Sequence, residues 1–128
     1  MEKIPTRETI TCEFKSDRRC LSDRALLEAV VCMANGAGGD IYLGVEDDGN
    51  ASGVHTHHQD LHKLAALIAS DTRPAVHAQI TPVPIAGVIV AKISVAASVV
   101  PVSTSDGVFK RRQLQCNGEP ECVSFVPD

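Results

Sequence analysis

Hydrophobic residues recur along the chain with two distinct periods. Between residues 9 and 15 every second position is apolar, which predicts a strand with one buried face. Apolar residues three and four positions apart predict two amphipathic helices, over 23–34 and from about 59 to 70. Ser22 can cap the first helix through its hydroxyl, and we expect that helix to end at Asn35 with Gly36 in the left-handed conformation.

Short apolar runs predict the remaining strands, at 41–45, 76–83, 88–95 and 107–112. Pro82 assigns the second of these to a sheet edge or a strand end, because proline lacks the N–H that a central strand donates. The Asp-Asp-Gly-Asn sequence at 47–50 predicts a tight turn after which 51–54 returns. This order predicts an α/β (α+β) fold around a mixed sheet, with residues 1–128 as one domain and about 117–128 as an irregular tail.

Composition narrows the class of protein. The net charge of −4 argues against binding nucleic acid by bulk attraction to phosphate. The chain contains no run of eighteen apolar residues, and its first residues are too charged for a signal peptide, so we expect a cytoplasmic protein that does not enter a membrane. An odd number of cysteines without a C-x-x-C pair favours reduced thiols; they are Cys12, Cys20, Cys32, Cys116 and Cys122.

The glycines at 36, 38 and 39 first indicate a phosphate-binding loop. Such loops require a strand, then the glycines, then the start of a helix, whereas here the helix comes first and the strand follows. No G-K-[ST] sequence is present either. We therefore expect these glycines to allow a tight crossing from helix to strand.

Carboxylates gather around the ends of two predicted strands. Glu13 lies on the first and Glu8 just upstream of it, and residues 46–48, Glu-Asp-Asp, end the second. Together they could hold a divalent cation that activates water, with Lys15 offsetting charge on a leaving group, as in a metal-dependent nuclease. Glu8 and Glu13 have opposite parity, so they share a face only if the strand begins after Glu8 or is bulged. The alternative is a solvated strand face and ordinary turn residues.

Basic residues form a second candidate site. In an extended strand Lys110 and Arg112 share one face while Arg111 points to the other. This cluster, together with Arg18 and Arg19, is the place where phosphate contact can be focused on an acidic domain. The alternative is a charged edge that discourages strand addition. Few aromatic residues are present, so base stacking is an improbable main mode.

Histidines and the last cysteines give weaker signals. Residues 55, 57, 58 and 62 are histidines, but no H-E-x-x-H sequence accompanies them, so a polar helix start is favoured over a zinc site. Cys116 and Cys122 flank a predicted turn and are as consistent with buried thiols as with a functional pair.

Three series of residues together resemble the Schlafen AlbA-like domain family. They are the E-x4-E-F-K series at 8–15, the A-N-G-x-G-G series and its following strand at 34–49, and Gly53-Val54. The strand at 88–95, Pro101-Val102 and the aromatic-basic sequence at 109–112 also fall where that family has its hydrophobic strand, its proline and its last strand. The resemblance covers nearly the whole chain.

The resemblance implies a DNA-binding or RNA-binding domain, often attached to regulatory domains, and hence a transcriptional regulator. It also implies that Glu8, Glu13 and Asp47 correspond to the three acids with which Schlafen proteins cleave structured RNA. Those proteins pair two related lobes, which a single domain could rebuild as a homodimer.

Three hypotheses follow. The first is a nucleic-acid-binding domain that contacts phosphates through Lys110, Arg111, Arg112, Lys15, Arg18 and Arg19. The second is an endoribonuclease that uses Mg²⁺ or Mn²⁺ on Glu8, Glu13 and Asp47, with Lys15 assisting. The third is a protein-interaction module.

Overall fold

The fold is built on a mixed four-stranded sheet whose two parallel strands are connected by a helix. The structure, a computed structural model, describes residues 3–128. The helices are α1 (Asp23–Ala34) and α2 (Leu61–Ser70), and a 3₁₀ turn at Thr56–His58 precedes α2. The strands are β1 (Cys12–Lys15), β2 (Gly39–Leu43), β3 (Thr72–Arg73), β4 (Gln79–Ile85), β5 (Val88–Val95), β6 (Ser103–Thr104), β7 (Lys110–Leu114) and β8 (Pro120–Ser124).

The strands of the main sheet lie in the order β1-β2-β5-β4. β1 and β2 are parallel and α1 connects them, whereas β5 is antiparallel to both β2 and β4. β4 is therefore an edge strand, as Pro82 predicts. The strand pairs β3–β6 and β7–β8 form two separate ribbons. The mixed sheet and its two helices confirm the predicted α+β fold class.

Both faces of the main sheet are covered. On one face α1 and α2 pack against β2 and β5, and the central side chains of Leu26, Val30 and Ile41 are fully buried. A smaller cluster on the other face is built around Phe14 and Tyr42, whose rings meet edge to face at 6.3 Å. The sheet is therefore apolar on both faces at its centre.

The helix predictions hold closely, whereas the position of the left-handed glycines differs from the prediction. α1 spans the predicted residues, and the Ser22 hydroxyl accepts a hydrogen bond from the Ala25 N–H. Left-handed backbone occurs at Gly38 and Gly39 rather than at Gly36. A Cβ atom on Gly39 would lie 2.3 Å from the Thr11 carbonyl oxygen, so the glycines do serve a close crossing of β1.

The C-terminal segment is not the irregular tail that the sequence predicts. β8 pairs with β7 in an antiparallel ribbon, from Lys110 opposite Ser124 to Leu114 opposite Pro120. β8 has no clear hydrophobic period of its own and is defined by its pairing with β7, which explains why the sequence pattern does not predict it. The first strand is also shorter than predicted and begins at Cys12.

The expectation that all five cysteines are reduced thiols is wrong. Cys32 of α1 and Cys122 of β8 form a disulfide, with Cα atoms 5.9 Å apart and a sequence separation of 90. Cys12 is buried, Cys20 is partly exposed and Cys116 is exposed. The disulfide therefore attaches the β7–β8 ribbon directly to the core helix.

Neither helix within residues 3–128 is long and apolar enough to cross a bilayer.

Candidate nucleic-acid interface

The basic strand β7 divides its three cations between the interior and the surface. Arg112 is buried with 4% exposure, Lys110 is partly buried and Arg111 is exposed. Because side chains alternate along a strand, residues 110 and 112 face α1 and β1, while residue 111 faces away from them. The predicted alternation is present, and the strand face that carries Lys110 and Arg112 is turned towards the interior of the protein.

Arg112 is fully engaged inside the protein. Its guanidinium forms an ion pair with the carboxylate of Glu13. Its Nη2 also donates to the carbonyl oxygens of Thr9 at 2.7 Å and Cys12 at 2.8 Å, and its Nε donates to Thr9 at 3.1 Å. The predicted contact of Arg112 with phosphate does not fit this position, because its donors are directed at β1 and the segment before it.

Glu13 is likewise not on a solvated strand face. It is 9% exposed and lies on the side of β1 that meets Arg112. The ion pair connects residues 99 apart in sequence, which is why neither hydrophobic pattern indicates it.

Two further attachments fix β7 relative to α1. The side-chain amide of Asn35 donates to the carbonyl oxygens of Val102 at 2.8 Å and Lys110 at 2.9 Å, and its oxygen accepts from the Val102 N–H. The Cys32–Cys122 disulfide attaches the neighbouring strand. The sequence predicts only a helix end at Asn35, so its role in holding the basic strand is a finding of the structure.

Arg111 presents its charge at the surface. Its guanidinium carbon lies 4.9 Å from the centre of the Phe125 ring, within the range of a cation–π contact. Phe109 meets Phe125 edge to face at 5.9 Å, so the ring under the guanidinium is itself supported. The arginine is thus exposed and oriented at the same time.

Lys110 is held by an acidic neighbour on α1. Its ammonium lies 3.2 Å from the Glu28 carboxylate, which also accepts from Arg24 at 3.0 Å. Although burial acts to raise the pKa of Glu28, the hydrogen bonds from Arg24 and Lys110 lower it below its usual value. This three-residue network carries one excess positive charge.

The loop after β1 carries the other predicted basic residues. Arg18 and Arg19 are exposed, and Lys15 at the end of β1 is partly buried. The Nε of Arg18 lies 3.7 Å from the partly buried Glu46 carboxylate, and because the arginine side chain is largely exposed this contact contributes little to stability.

The predicted acidic residues separate into a pair and an outlier. Glu8 accepts a hydrogen bond from the Phe14 N–H at 2.9 Å and lies close enough to Glu13 for their side chains to share a proton. Burial, followed by that hydrogen bond with Glu13, raises the pKa of Glu8 to about 7. The parity difficulty disappears because β1 begins after Glu8.

Asp47 does not complete this pair as a metal site. It is exposed in the turn after Val45, a turn closed by hydrogen bonds between Glu46 and Asn50 and between Gly49 and Glu46. Over residues 3–128, no three His, Cys, Asp or Glu side chains are grouped so that they could hold a metal ion. The structure thus brings Glu8 and Glu13 together and does not bring Asp47 to them.

One histidine has a role that the sequence does not indicate. His58 is 6% exposed, and its Nδ1 lies 2.8 Å from a carboxylate oxygen of the fully buried Asp17. The predicted polar helix start describes the neighbouring His57 and His62, which are exposed, but not this residue.

Comparisons with known proteins agree with this fold. The family model for Schlafen, AlbA_2 matches residues 8–118, which confirms the resemblance described above. A search of curated proteins found no match.

Two solved structures show the same fold at low sequence identity. The DIP2311 protein of Corynebacterium diphtheriae superposes with a TM-score of 0.72 and 22% identity, over 90% of this chain and 25% of that one. The N-terminal domain of a protein of Nitrosomonas europaea, described as related to the ATP-dependent DNA helicase RecG, gives a TM-score of 0.59 and 20% identity over 84% of this chain and 82% of that one. The chain thus spans about a quarter of DIP2311 and most of the Nitrosomonas domain.

Proposed function

The chain belongs to the Schlafen AlbA_2 family, and from that membership we propose that residues 1–128 act as one nucleic-acid-binding unit that contacts the phosphate backbone. The observation that carries the proposal is that the arginines of β7 face opposite ways. Arg112 forms an internal ion pair, while Arg111 lies at the surface over the Phe125 ring. The similarity to a domain of a protein described as helicase-related supports it.

Arg111 has the chemistry that this contact requires. A guanidinium presents a planar fork of N–H donors that matches two phosphate oxygens at once. Stacking on Phe125 orients the plane and reduces the side-chain freedom that would be lost on binding, while the edge of the plane stays accessible. A preorganised exposed arginine is therefore a better phosphate ligand than a flexible one.

Secondary contacts come from the loop after β1 and from Lys110. Arg18 and Arg19 are exposed, and Arg18 lies beside the Glu46 carboxylate. Lys110 is partly neutralised by Glu28. Because few cations make contact and the whole chain carries a charge of −4, affinity is modest, and its salt dependence corresponds to a small number of phosphate contacts.

This limited set of contacts fits a regulatory domain better than a stand-alone high-affinity binder. Phosphate contacts position a protein on nucleic acid without reading its sequence. We propose that the domain serves as a transcriptional regulator by adding such contacts, and that pairing of two copies as a homodimer increases avidity.

A metal-dependent endoribonuclease is the second candidate, and one observation favours it. With a pKa of about 7, Glu8 is able to accept or donate a proton near neutral pH, as a general acid or base must. Against it, Glu13 is already paired with Arg112, and Asp47 lies apart in an exposed turn. Binding without cleavage is therefore the function that the geometry supports better.

Fluorescence anisotropy with labelled duplex DNA and structured RNA tests these functions, with and without Mn²⁺. We expect binding to at least one of the two and no cleavage with Mn²⁺. Arg111→Glu should weaken binding. The matched control Lys63→Glu changes the net charge by the same amount on an exposed residue of α2 and should not weaken binding.

Three other results would contradict the proposal. If Mn²⁺-dependent cleavage appears and Asp47→Asn abolishes it, the nuclease is correct; Asp47 is exposed, so this variant leaves the core undisturbed. If neither nucleic acid binds at moderate salt, the protein-interaction module is favoured. If Arg111→Glu binds as wild type, the β7 surface is not the interface.

A further inference from the structure

Three residues that the nucleic-acid proposal does not use are arranged in the order carboxylate, imidazole, thiol. Both carboxylate oxygens of Asp17 lie within 2.9 Å of His58 Nδ1. On the opposite side of the ring, His58 Nε2 lies 4.0 Å from the Sγ of Cys20. Asp17 and His58 are buried, whereas Cys20 is partly exposed. The thiol is thus the member of the series that a solute can reach.

The carboxylate is rigidly placed. Asp17 accepts hydrogen bonds from the N–H groups of Leu21 at 2.7 Å and His55 at 2.8 Å, in addition to its contacts with His58. Backbone groups on both sides of the site therefore fix its orientation. A rigid acceptor of this kind holds an imidazole in one position, which is how the third member of a catalytic triad acts.

The same geometry determines the tautomer of the imidazole. An ionised carboxylate can only accept hydrogen bonds, so the ring nitrogen facing Asp17, Nδ1, carries the proton when His58 is neutral. The lone pair of Nε2 is then directed towards Cys20, and Nε2 is able to take the thiol proton. In the reverse tautomer the contact between Nδ1 and Asp17 would be repulsive.

Cys20 has an unusual backbone. Its φ of 57° lies in the left-handed region, which non-glycine residues seldom adopt. It precedes the N-cap of α1 by two residues, and its N–H donates to the Asp17 carbonyl at 3.1 Å. The loop therefore holds the backbone of the cysteine to the same residue that orients the histidine.

A cavity of about 520 Å³ opens beside the thiol and gives a substrate access to it. Leu64 and Leu67 of α2 line it together with the polar residues Asp23, His55, His57, Asp60 and Lys63. The two leucines provide the apolar part of the cavity, which fits a small uncharged acyl group.

We propose that Cys20, His58 and Asp17 form a nucleophilic site that hydrolyses small carboxylic esters or thioesters with an apolar acyl group. His58 Nε2 takes the Cys20 proton, and the sulfur attacks the acyl carbon. The bond from that carbon to the leaving oxygen or sulfur then breaks, and His58 returns the proton to the leaving group. Water next attacks the resulting thioester with His58 as base, which releases the carboxylic acid and restores the thiol.

The other free cysteines provide internal controls. Cys116 is exposed in the loop between β7 and β8, so it reports the reactivity of an accessible thiol. Cys12 is buried, and burial raises the pKa of its thiol to about 11, so it reports an inert one. All three can be followed in one sample in which the Cys32–Cys122 disulfide is left intact.

The first experiment needs no variant. The native protein is treated with iodoacetamide at pH 7 without reductant, and the alkylation of each cysteine is followed by peptide mass spectrometry. We expect Cys20 to react at least about tenfold faster than Cys116, because His58 Nε2 lies 4.0 Å from its sulfur and can accept the thiol proton as the sulfur attacks. Equal or slower alkylation of Cys20 would overturn the proposal.

The second experiment measures the reaction. With p-nitrophenyl butyrate, we expect a burst of p-nitrophenolate, an acyl adduct on the peptide containing Cys20, and a rate about a hundredfold above that of Cys20→Ser. His58→Gln should remove both the burst and the fast alkylation. If Cys20→Ser hydrolyses the ester as fast as wild type, or if the adduct is on another residue, His58 and Asp17 only hold the loop. Nucleic-acid binding by Cys20→Ser should equal that of wild type.

Discussion

Replacing Arg112 by methionine should lower the free energy of unfolding much more than the same change at the adjacent Arg111. Arg112→Met keeps a long apolar side chain in place and removes the guanidinium. The change leaves the carboxylate of Glu13, which is 9% exposed, without its cation. It also removes the guanidinium's hydrogen bonds to the carbonyl oxygens of Thr9 and Cys12, which keep only their backbone partners.

Removing one partner of a buried ion pair costs about 3–5 kcal/mol, because the remaining charge is uncompensated. Arg111→Met loses an exposed cation–π contact worth about 0.5–1 kcal/mol. We therefore expect the two variants to differ by about 2–4 kcal/mol in the free energy of unfolding. Urea denaturation followed by circular dichroism, with the disulfide intact, measures this difference directly.

A double variant separates the lost charge pair from lost packing. Glu13→Leu combined with Arg112→Met removes both charges, so it should recover most of the stability that Arg112→Met loses. If Arg112→Met and Arg111→Met unfold at the same urea concentration, Arg112 is not held internally and the proposed division of the basic strand is incorrect.

Three further predictions concern other parts of the molecule. Because the pKa of Glu8 is raised to about 7, the folded protein keeps a proton that the unfolded chain releases above about pH 4.5. The free energy of unfolding of wild type, relative to Glu8→Gln, should therefore fall as the pH rises from about 4.5 to about 7. A difference between the two proteins that is independent of pH would contradict this. Gly39→Ala should lower the free energy of unfolding in urea by well over about 1 kcal/mol. Gly87 is also left-handed but has open space around it, so Gly87→Ala should lower the free energy of unfolding by only about 1 kcal/mol. Reduction of Cys32–Cys122, which closes a 90-residue separation, should cost up to about 4 kcal/mol, and an unchanged urea midpoint in dithiothreitol would refute its structural role.

The elements with strong local periodicity were predictable from the sequence. α1 was predicted with its bounds because its apolar stripe and the Ser22 cap are both encoded within a few residues. β5 was predicted equally well, since it follows a predicted turn and is a run of mostly β-branched residues. β8 was missed because its pairing depends on β7 rather than on its own pattern.

The candidate site was harder to predict because its geometry depends on contacts between distant residues. The sequence indicates that Arg111 and Arg112 face opposite ways, but not that Glu13 lies on the inner side. Likewise, Asp17 gives no signal in the sequence, although it holds His58 from 41 residues away. Identifying such contacts requires the three-dimensional structure.

The salt dependence of nucleic-acid affinity tests the central claim most directly. Anisotropy titrations of wild type, Arg111→Glu and Lys63→Glu over a series of salt concentrations give the affinity and its slope against salt for each. We predict that Arg111→Glu lowers affinity for all sequences alike and reduces the slope by about one phosphate contact, while Lys63→Glu changes neither. Equal effects of the two variants, or unchanged affinity in Arg111→Glu, would contradict the assignment of Arg111 to the interface.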